Sequence, residues 1–296
     1  HDNDPKLELN DDEIEKFINQ MADWGIYKLG ISGGEPLIRK EKVIKAISIA
    51  HKQGIWTGLG TNGSLLNEET AIRLAEAGLD HFSISLDGLE EKQIELRKNK
   101  LAWKGVVRAL EIIKMVGNKK FFAKLNFVLT NKNIDDVLDV MNFALEQNVS
   151  IIFVPYNTYN IRFVRTLTQQ EIFDKDPLWV SPKNQRKFEE VLDKIIAAKK
   201  KRPQFVLNTL PYLKNIKTFF TNPVANVSNQ CSSAYRNIHV DPVGDVIPCW
   251  RYKMTKGNVK TSSLKDIWYS KGYKKLKNKM LECDLLCLGG CRMYPT

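Results

Sequence analysis

Five cysteines carry the first chemical signal in this 296-residue sequence, because all of them fall in its last quarter. Cys231 and Cys249 bracket a glycine as Cys-x12-Gly-x4-Cys, and Cys283, Cys287 and Cys291 follow as Cys-x3-Cys-x3-Cys. The number is odd and no secretory signal is readable over His1–Asn10, so a disulfide framework is the weaker reading. Thiolates gathered this way suit zinc or an iron–sulfur cluster. Zinc ordinarily takes paired Cys-x2-4-Cys knuckles, and Cys231 has no near partner in sequence. Four of the five could hold one [4Fe–4S] cluster. The plain alternative is buried thiols without a metal, but three cysteines within nine residues, beside Gly289-Gly290, are not ordinary packing.

Two further groups of residues could do chemistry. Gly33-Gly34-Glu35-Pro36 leaves backbone amides and carbonyls bare for close approach of a ligand, adds an acceptor and stiffens the turn. Ser83-Ile84-Ser85-Leu86-Asp87-Gly88 alternates, so Ser83, Ser85 and Asp87 share one strand face. Each is a modest signal alone. A strand-to-helix turn explains the first, and a half-exposed strand explains the second.

The elements that must position these groups alternate. Strands are expected at Tyr27–Ile31, Ile55–Gly60, His81–Leu86, Phe121–Leu129 and Val149–Val154. Helical spacing covers 11–21, 40–53, 67–77, 103–116, 133–147 and 183–201, several closed by glycine. That alternation implies β-α units and a mostly parallel sheet, whose ligands sit at the carboxyl ends of the strands. The first strand lacks the Gly-x-Gly-x-x-Gly turn of a dinucleotide site, which counts against a Rossmann-type sheet. Residues 156–182 read as a loop or lid. Pro203, Pro211 and Pro223 break the pattern, and Asp241-Pro242-Val243-Gly244-Asp245 marks a hairpin. A helix at 263–280 leads into the last cysteines. Two units are expected, 1–205 and 206–296.

Gly-Gly-Glu-Pro, Thr61-Asn62-Gly63, Ser-Ile-Ser-Leu-Asp-Gly and the two cysteine groups occur in the order seen in radical S-adenosylmethionine (SAM) enzymes. With Gly257-Asn258-Val259 and Ser263–Trp268 between the cysteine groups, the chain resembles members that carry a C-terminal SPASM or twitch domain. The resemblance implies a partial (β/α)6 TIM-like barrel with a small α+β cysteine-rich domain. It implies S-adenosylmethionine, a catalytic [4Fe–4S] cluster and at least one auxiliary [4Fe–4S] cluster as cofactors. The chemistry implied is reductive cleavage of S-adenosylmethionine to a 5′-deoxyadenosyl radical that abstracts a substrate hydrogen. Gly33, Gly34 and Glu35, with Pro36 beside them, would meet the methionine amino group. Ser85 and Asp87 would face the ribose or methionyl part, Arg97 the carboxylate, Asn126 would help hold the ligand, and Val154 would line the adenine. Cys231, Cys249 and Cys291, with Cys283 or Cys287, would hold the auxiliary cluster.

The sequence departs from the family pattern in two respects. Where the SPASM pattern has seven cysteines, with Cys-x2-Cys-x5-Cys-x3-Cys and one more later, this sequence has Cys-x3-Cys-x3-Cys, so one auxiliary cluster is expected. The Cys-x3-Cys-x2-Cys loop that holds the catalytic cluster is absent, since no cysteine precedes Cys231. It is expected just before His1, after a first strand. The substrate expected by analogy is a peptide or peptide-derived precursor, with a sugar, aminoglycoside or other small molecule as alternative. A non-catalytic, metal-stabilised binding protein is the reading from another class. An electron donor such as flavodoxin or ferredoxin is an expected partner. The net charge of +11 is read as a solvated surface, because no aromatic-interleaved basic stripe accompanies it, and no nucleic-acid partner is expected. No apolar run is long enough to span a bilayer, and a cytoplasmic location is expected.

Overall fold

The computed structural model describes residues 4–116, 121–158, 167–223, 231–249, 251, 254–283 and 285–288. Five parallel strands form one sheet in chain order: β1 (Lys28–Ile31), β2 (Trp56–Thr61), β3 (His81–Ser85), β4 (Phe122–Leu129) and β5 (Ser150–Pro155). Strands laid down consecutively, each returning through helix, wind the sheet in one direction, which is the build of a partial barrel rather than a doubly wound sheet. The returning helices are α2 (Lys40–Lys52), α3 (Glu68–Glu76), α4 (Glu90–Arg97) with α5 (Ala102–Val116), and α6 (Val137–Glu146). Beyond β5, Val206 pairs in parallel with Ile151 as a one-residue sixth position.

Local chemistry explains the helix boundaries. α1 (Asp11–Asp23) opens on a full capping box, with the Asn10 side chain on the Glu13 amide and the Glu13 carboxylate on the Asn10 amide. α3 is capped by Asn67. The stretch expected to be a loop contains α7 (Gln169–Lys175), itself opened by a Thr168–Glu171 capping box. α8 (Gln185–Lys201) is followed by α9 (Leu210–Thr221), where Pro211 starts the helix rather than breaking it. The helix expected over 263–280 is two: with α10 at Ser233–Arg236, these are α11 (Leu264–Tyr269) and α12 (Lys271–Leu281), separated and recapped by Ser270. The expected hairpin is present as β6 (His239–Val240) against β7 (Val246–Ile247).

The outer face of the sheet supplies Leu59, Phe82, Ile84, Leu125, Phe127 and Phe153 to one core shared with α5, α6 and α8. α9 belongs to that same core: Phe219 and Phe220 pack on Trp179 at 5.0 and 4.6 Å between ring centroids. A second core joins α1, through Ile18 and Met21, to Val246, Val259, Leu264 and Ile267 near the hairpin. The Gln20 side chain also accepts the Leu264 amide at 2.7 Å. The cysteine-bearing segment is therefore bolted to the barrel's first helix.

The inner face is different in kind. Gly30, Gly58 and Gly60 bear no side chains there, and Gly30 lies opposite Gly58 in register. At the amino end His81 is sandwiched between Trp56 (4.4 Å, 18°) and Phe122 (5.2 Å, 14°). Burial, reinforced by the Lys124 ammonium, lowers the His81 imidazole from 6.5 to about 4. The unfolded chain takes up a proton near pH 6.5, while the folded protein keeps His81 neutral until about 4. Stability is therefore lost as pH falls through that window and is fully present above it. The full shift corresponds to roughly 3 kcal/mol, and to roughly 1–2 kcal/mol once solvent screening is allowed for. Urea midpoints measured between pH 7 and pH 4.5 should fall more for the wild type than for His81→Gln; equal losses would contradict this assignment.

Candidate functional site

In a parallel sheet all strands end on one side, so the segments after β1 to β5 meet at one mouth. The turn after β1 holds Ser32 to Pro36. Gly33 has φ +152°, and around the Cβ positions of Gly33 and Gly34 there is nothing within 4 Å. Glu35 turns back from this open turn. Its carboxylate accepts hydrogen bonds from the Thr61 hydroxyl at 2.8 Å, the Asn62 amide at 2.8 Å and the Leu37 amide at 3.2 Å. It thereby ties the β1 loop to the β2 loop. Pro36 begins the 3-10 turn Pro36–Arg39 that Glu35 caps.

Ser85 lies beside Asn126 in register, and Asn126 beside Ile152. Val154, two residues further along β5, pairs with Val128 on the same face. Ser85, Asn126 and Val154 thus line the inner face next to the mouth.

Asp87 is the centre of a buried knot. One carboxylate oxygen accepts the Val128 amide at 3.0 Å, and the other pairs with the Arg97 guanidinium at 2.7 Å. Burial pushes the Asp87 carboxyl up, against the downward pull of Arg97. Gln93 accepts the Asp87 amide at 2.8 Å and donates to the Ser85 carbonyl at 3.2 Å. Asn133 donates to the carbonyls of Asp87 and Val128, each at 2.9 Å. Arg97 was expected to face a ligand carboxylate, yet its ion pair is with Asp87. Its Nε–H, however, is buried without a partner. An orphaned guanidinium donor fits an amino-acid carboxylate, and the open glycine turn after β1 fits close approach of an ammonium, so both fit S-adenosylmethionine. Gln93 and Asn133, 1% and 0% exposed, hold the knot and escaped sequence reasoning. The signal available was an amide at each position that the fold could not leave unpaired.

The second site is at the other end of the chain. Cys231 is buried, with Ala234 and Met280, and Cys249 and Cys283 pack against them. The Arg251 amide donates to Cys249 Sγ at 3.4 Å. Cys287 lies between Leu286 and Leu288, both buried in the barrel core. Cys291 lies outside the described residues. Among the described residues, no three His, Cys, Asp or Glu side chains reach coordination distance of one another. Three thiols in one apolar pocket, one already receiving an N–H···S bond, have the donor chemistry of a thiolate-bound metal cluster. No cysteine precedes Cys231 in this sequence, so ligands for a catalytic cluster are not found among the residues of the barrel strands and their loops.

Comparison with known proteins gives a family for the segments that carry both sites. Residues 1–144 match the family model of the radical SAM superfamily, and residues 231–292 match the SPASM iron-sulfur cluster-binding domain. A GTP 3′,8-cyclase of Helicobacter pylori (strain HPAG1) is 33% identical over 178 residues, 58% of this chain and 53% of the relative. That of Sulfurovum sp. (strain NBC37-1) is 34% identical over 176 residues, 56% of this chain and 51% of the relative. The chain thus spans about half the length of the curated relatives it matches. Among solved structures, native anSMEcpe with bound AdoMet and Cp18Cys peptide superposes with TM-score 0.65 at 18% identity, over 90% of this chain and 74% of that one. Streptococcus suis SuiB bound to precursor peptide SuiA gives TM-score 0.65 at 19% identity, over 96% and 65%. At such identities the likeness is one of fold.

Proposed function

The chain belongs to the radical SAM superfamily and carries a SPASM iron–sulfur domain, and on that premise we propose that it modifies a peptide or a peptide-derived precursor. The observation that carries this reading is the joint architecture, a partial barrel followed by a hairpin flanked by cysteines; 90% of this chain superposes on anSMEcpe, which was solved with bound AdoMet and a Cp18Cys peptide. When bound, S-adenosylmethionine and its cluster supply a 5′-deoxyadenosyl radical. The chain's own part is to hold and orient. Gly33 and Gly34 offer bare backbone to the methionyl end, Glu35 fixes that turn, Arg97 offers its unpartnered Nε–H, and Ser85, Asn126 and Val154 line the nucleoside side. Cys231, Cys249 and Cys283, with Cys287 or Cys291, hold the auxiliary cluster. An acidic electron donor such as flavodoxin fits the exposed lysines Lys271, Lys274, Lys275 and Lys279 of α12, whose other face buries Met280 among the cysteines. A second reading, action on a nucleotide or another small molecule, is favoured by the 33% identity to GTP 3′,8-cyclase over 178 residues.

Anaerobic reconstitution with iron and sulfide separates the claims. About four irons are expected per chain, as one [4Fe–4S] cluster requires, falling to almost none in Cys231→Ala and Cys249→Ala. Bound zinc without iron would sink the auxiliary-cluster assignment. With the protein expressed from its natural gene, S-adenosylmethionine and a low-potential reductant, 5′-deoxyadenosine should accumulate together with a mass change in a cysteine-containing peptide. Product from GTP and none from peptide would transfer the assignment to the second reading.

A further inference from the structure

Cys249 and Cys287 are held by a residue that is not itself a metal ligand. Arg251 reaches three segments at once. Its backbone amide donates to Cys249 Sγ at 3.4 Å. One guanidinium nitrogen, Nη1, donates to the Leu286 carbonyl at 2.8 Å, immediately before Cys287. The other, Nη2, donates to the Thr158 carbonyl in the segment that leaves β5 at the barrel mouth. Neighbouring bonds lock the same junction. The Leu288 amide donates to Asn157 Oδ1 at 2.7 Å, and the Tyr212 hydroxyl donates to the Leu288 carbonyl at 3.0 Å. Asn157 in turn donates to the Pro155 carbonyl at 3.0 Å, at the end of β5.

We infer that Arg251 is the positioning residue of the auxiliary site: it sets the spacing of Cys249 and Cys287, supplies a fixed positive charge beside the thiolates, and straps that site to the barrel mouth through Thr158. The inference rests on the reading of these cysteines as cluster ligands. The planar fork lets two separate nitrogens of fixed spacing each take one carbonyl; a lysine ammonium has a single nitrogen, which reaches two carbonyls only where they approach one point, as at Lys199. The charge has a defined electrical effect. A thiolate-bound [4Fe–4S] cluster becomes more negative on reduction, so a neighbouring guanidinium favours the reduced form and raises the potential. Removing it lowers the potential without removing a ligand, because the N–H···S bond comes from the backbone and survives substitution.

The test uses the reconstituted protein and reads iron, midpoint potential, electron paramagnetic resonance of the reduced cluster, and hydrogen exchange of residues 155–158 and 285–288. Wild-type iron content tests the cluster reading by itself: no iron there defeats that reading and this one together. Given about four irons per chain in the wild type, Arg251→Gln should move the midpoint to more negative potential, alter the resonance line shape and speed exchange in both segments at least tenfold. Arg251→Lys keeps the charge and loses the fork, so its midpoint should stay near the wild type while exchange still rises. Loss of iron from Arg251→Gln, with the far-ultraviolet circular dichroism unchanged, would also support positioning. If Arg251→Gln does not fold, Arg251→Lys decides through its exchange rates. Iron-replete Arg251→Gln with the wild-type midpoint and spectrum, or Arg251→Lys with wild-type exchange, overturns the inference.

Discussion

Glu35→Ala is expected to lower stability by about 2–3 kcal/mol and to abolish retention of S-adenosylmethionine, the larger loss being that of the ligand. The carboxylate accepts from Thr61, Asn62 and Leu37, and Thr61 is only 3% exposed. A charged acceptor contributes roughly 1.5–3 kcal/mol per bond in favourable cases, but the open glycine turn admits water to the vacated donors, so the three do not add in full. The effect on the ligand is geometric. Gly33 and Gly34 have no side chains to fix them, and Gly33 sits at a positive φ, so the bonds of Glu35 to the β2 loop are a main restraint on the turn. Glu35→Gln separates the two roles. Its amide nitrogen would face the Asn62 N–H, donor against donor, so about half of the stability loss should remain. Urea denaturation and equilibrium dialysis with S-adenosylmethionine measure both. A Glu35→Ala protein that unfolds at the wild-type midpoint and binds with wild-type affinity would remove Glu35 from the site.

The mouth was legible in the sequence because parallel α/β topology leaves little choice. Once Tyr27–Ile31, His81–Leu86 and Val149–Val154 read as strands, the residues after them had to converge. The structure begins or ends these strands within one or two residues of that reading. What escaped was information carried by long-range partners. α4 is charged on every side and buries only Gln93, so no apolar stripe betrayed it. That helix nevertheless delivers Arg97 to Asp87. The pairing of Glu35 with Thr61 and Asn62 spans 26 and 27 residues, which no local spacing encodes. Two misses were avoidable. Thr168-x-x-Glu171 is a capping box in plain sight, and Pro211 two residues after Thr209 is a helix start. The auxiliary cysteines were legible as a set, but which of them converge was not. Cys231, Cys249 and Cys283 pack together around Met280, and Cys287 lies between Leu286 and Leu288 of the barrel core, its position fixed by partners far away in sequence.

Gly58→Ala should destabilise the protein by about 2–4 kcal/mol, although the change adds a single methyl group to a strand. A Cβ at Gly58 would lie 2.0 Å from His81 Cε1, 2.7 Å from Nδ1 and 2.8 Å from Nε2. The ring cannot give way cheaply. It is stacked between Trp56 and Phe122, and its Nδ1 meets the Thr57 carbonyl at 3.3 Å. Rotating it out breaks both stacks and that contact; bending β2 instead disturbs its register with β1 and β3. The double variant Gly58→Ala/His81→Ala distinguishes a local clash from general damage. If the imidazole is what the methyl strikes, the second substitution removes the clash, and the two losses should fall short of additivity by about 1–3 kcal/mol. Additive losses would place the strain elsewhere, and Gly58→Ala within experimental error of the wild type would show that the floor yields. A yielding floor matters above it as well. Gly58 and Gly60 lie on the inner face of β2, between the aromatic stack at the amino end and the Thr61-Asn62 loop that Glu35 grips, so a shift of β2 is carried to the mouth. Loss of S-adenosylmethionine affinity in Gly58→Ala, restored in the double variant, would trace that transmission from a residue remote from the ligand.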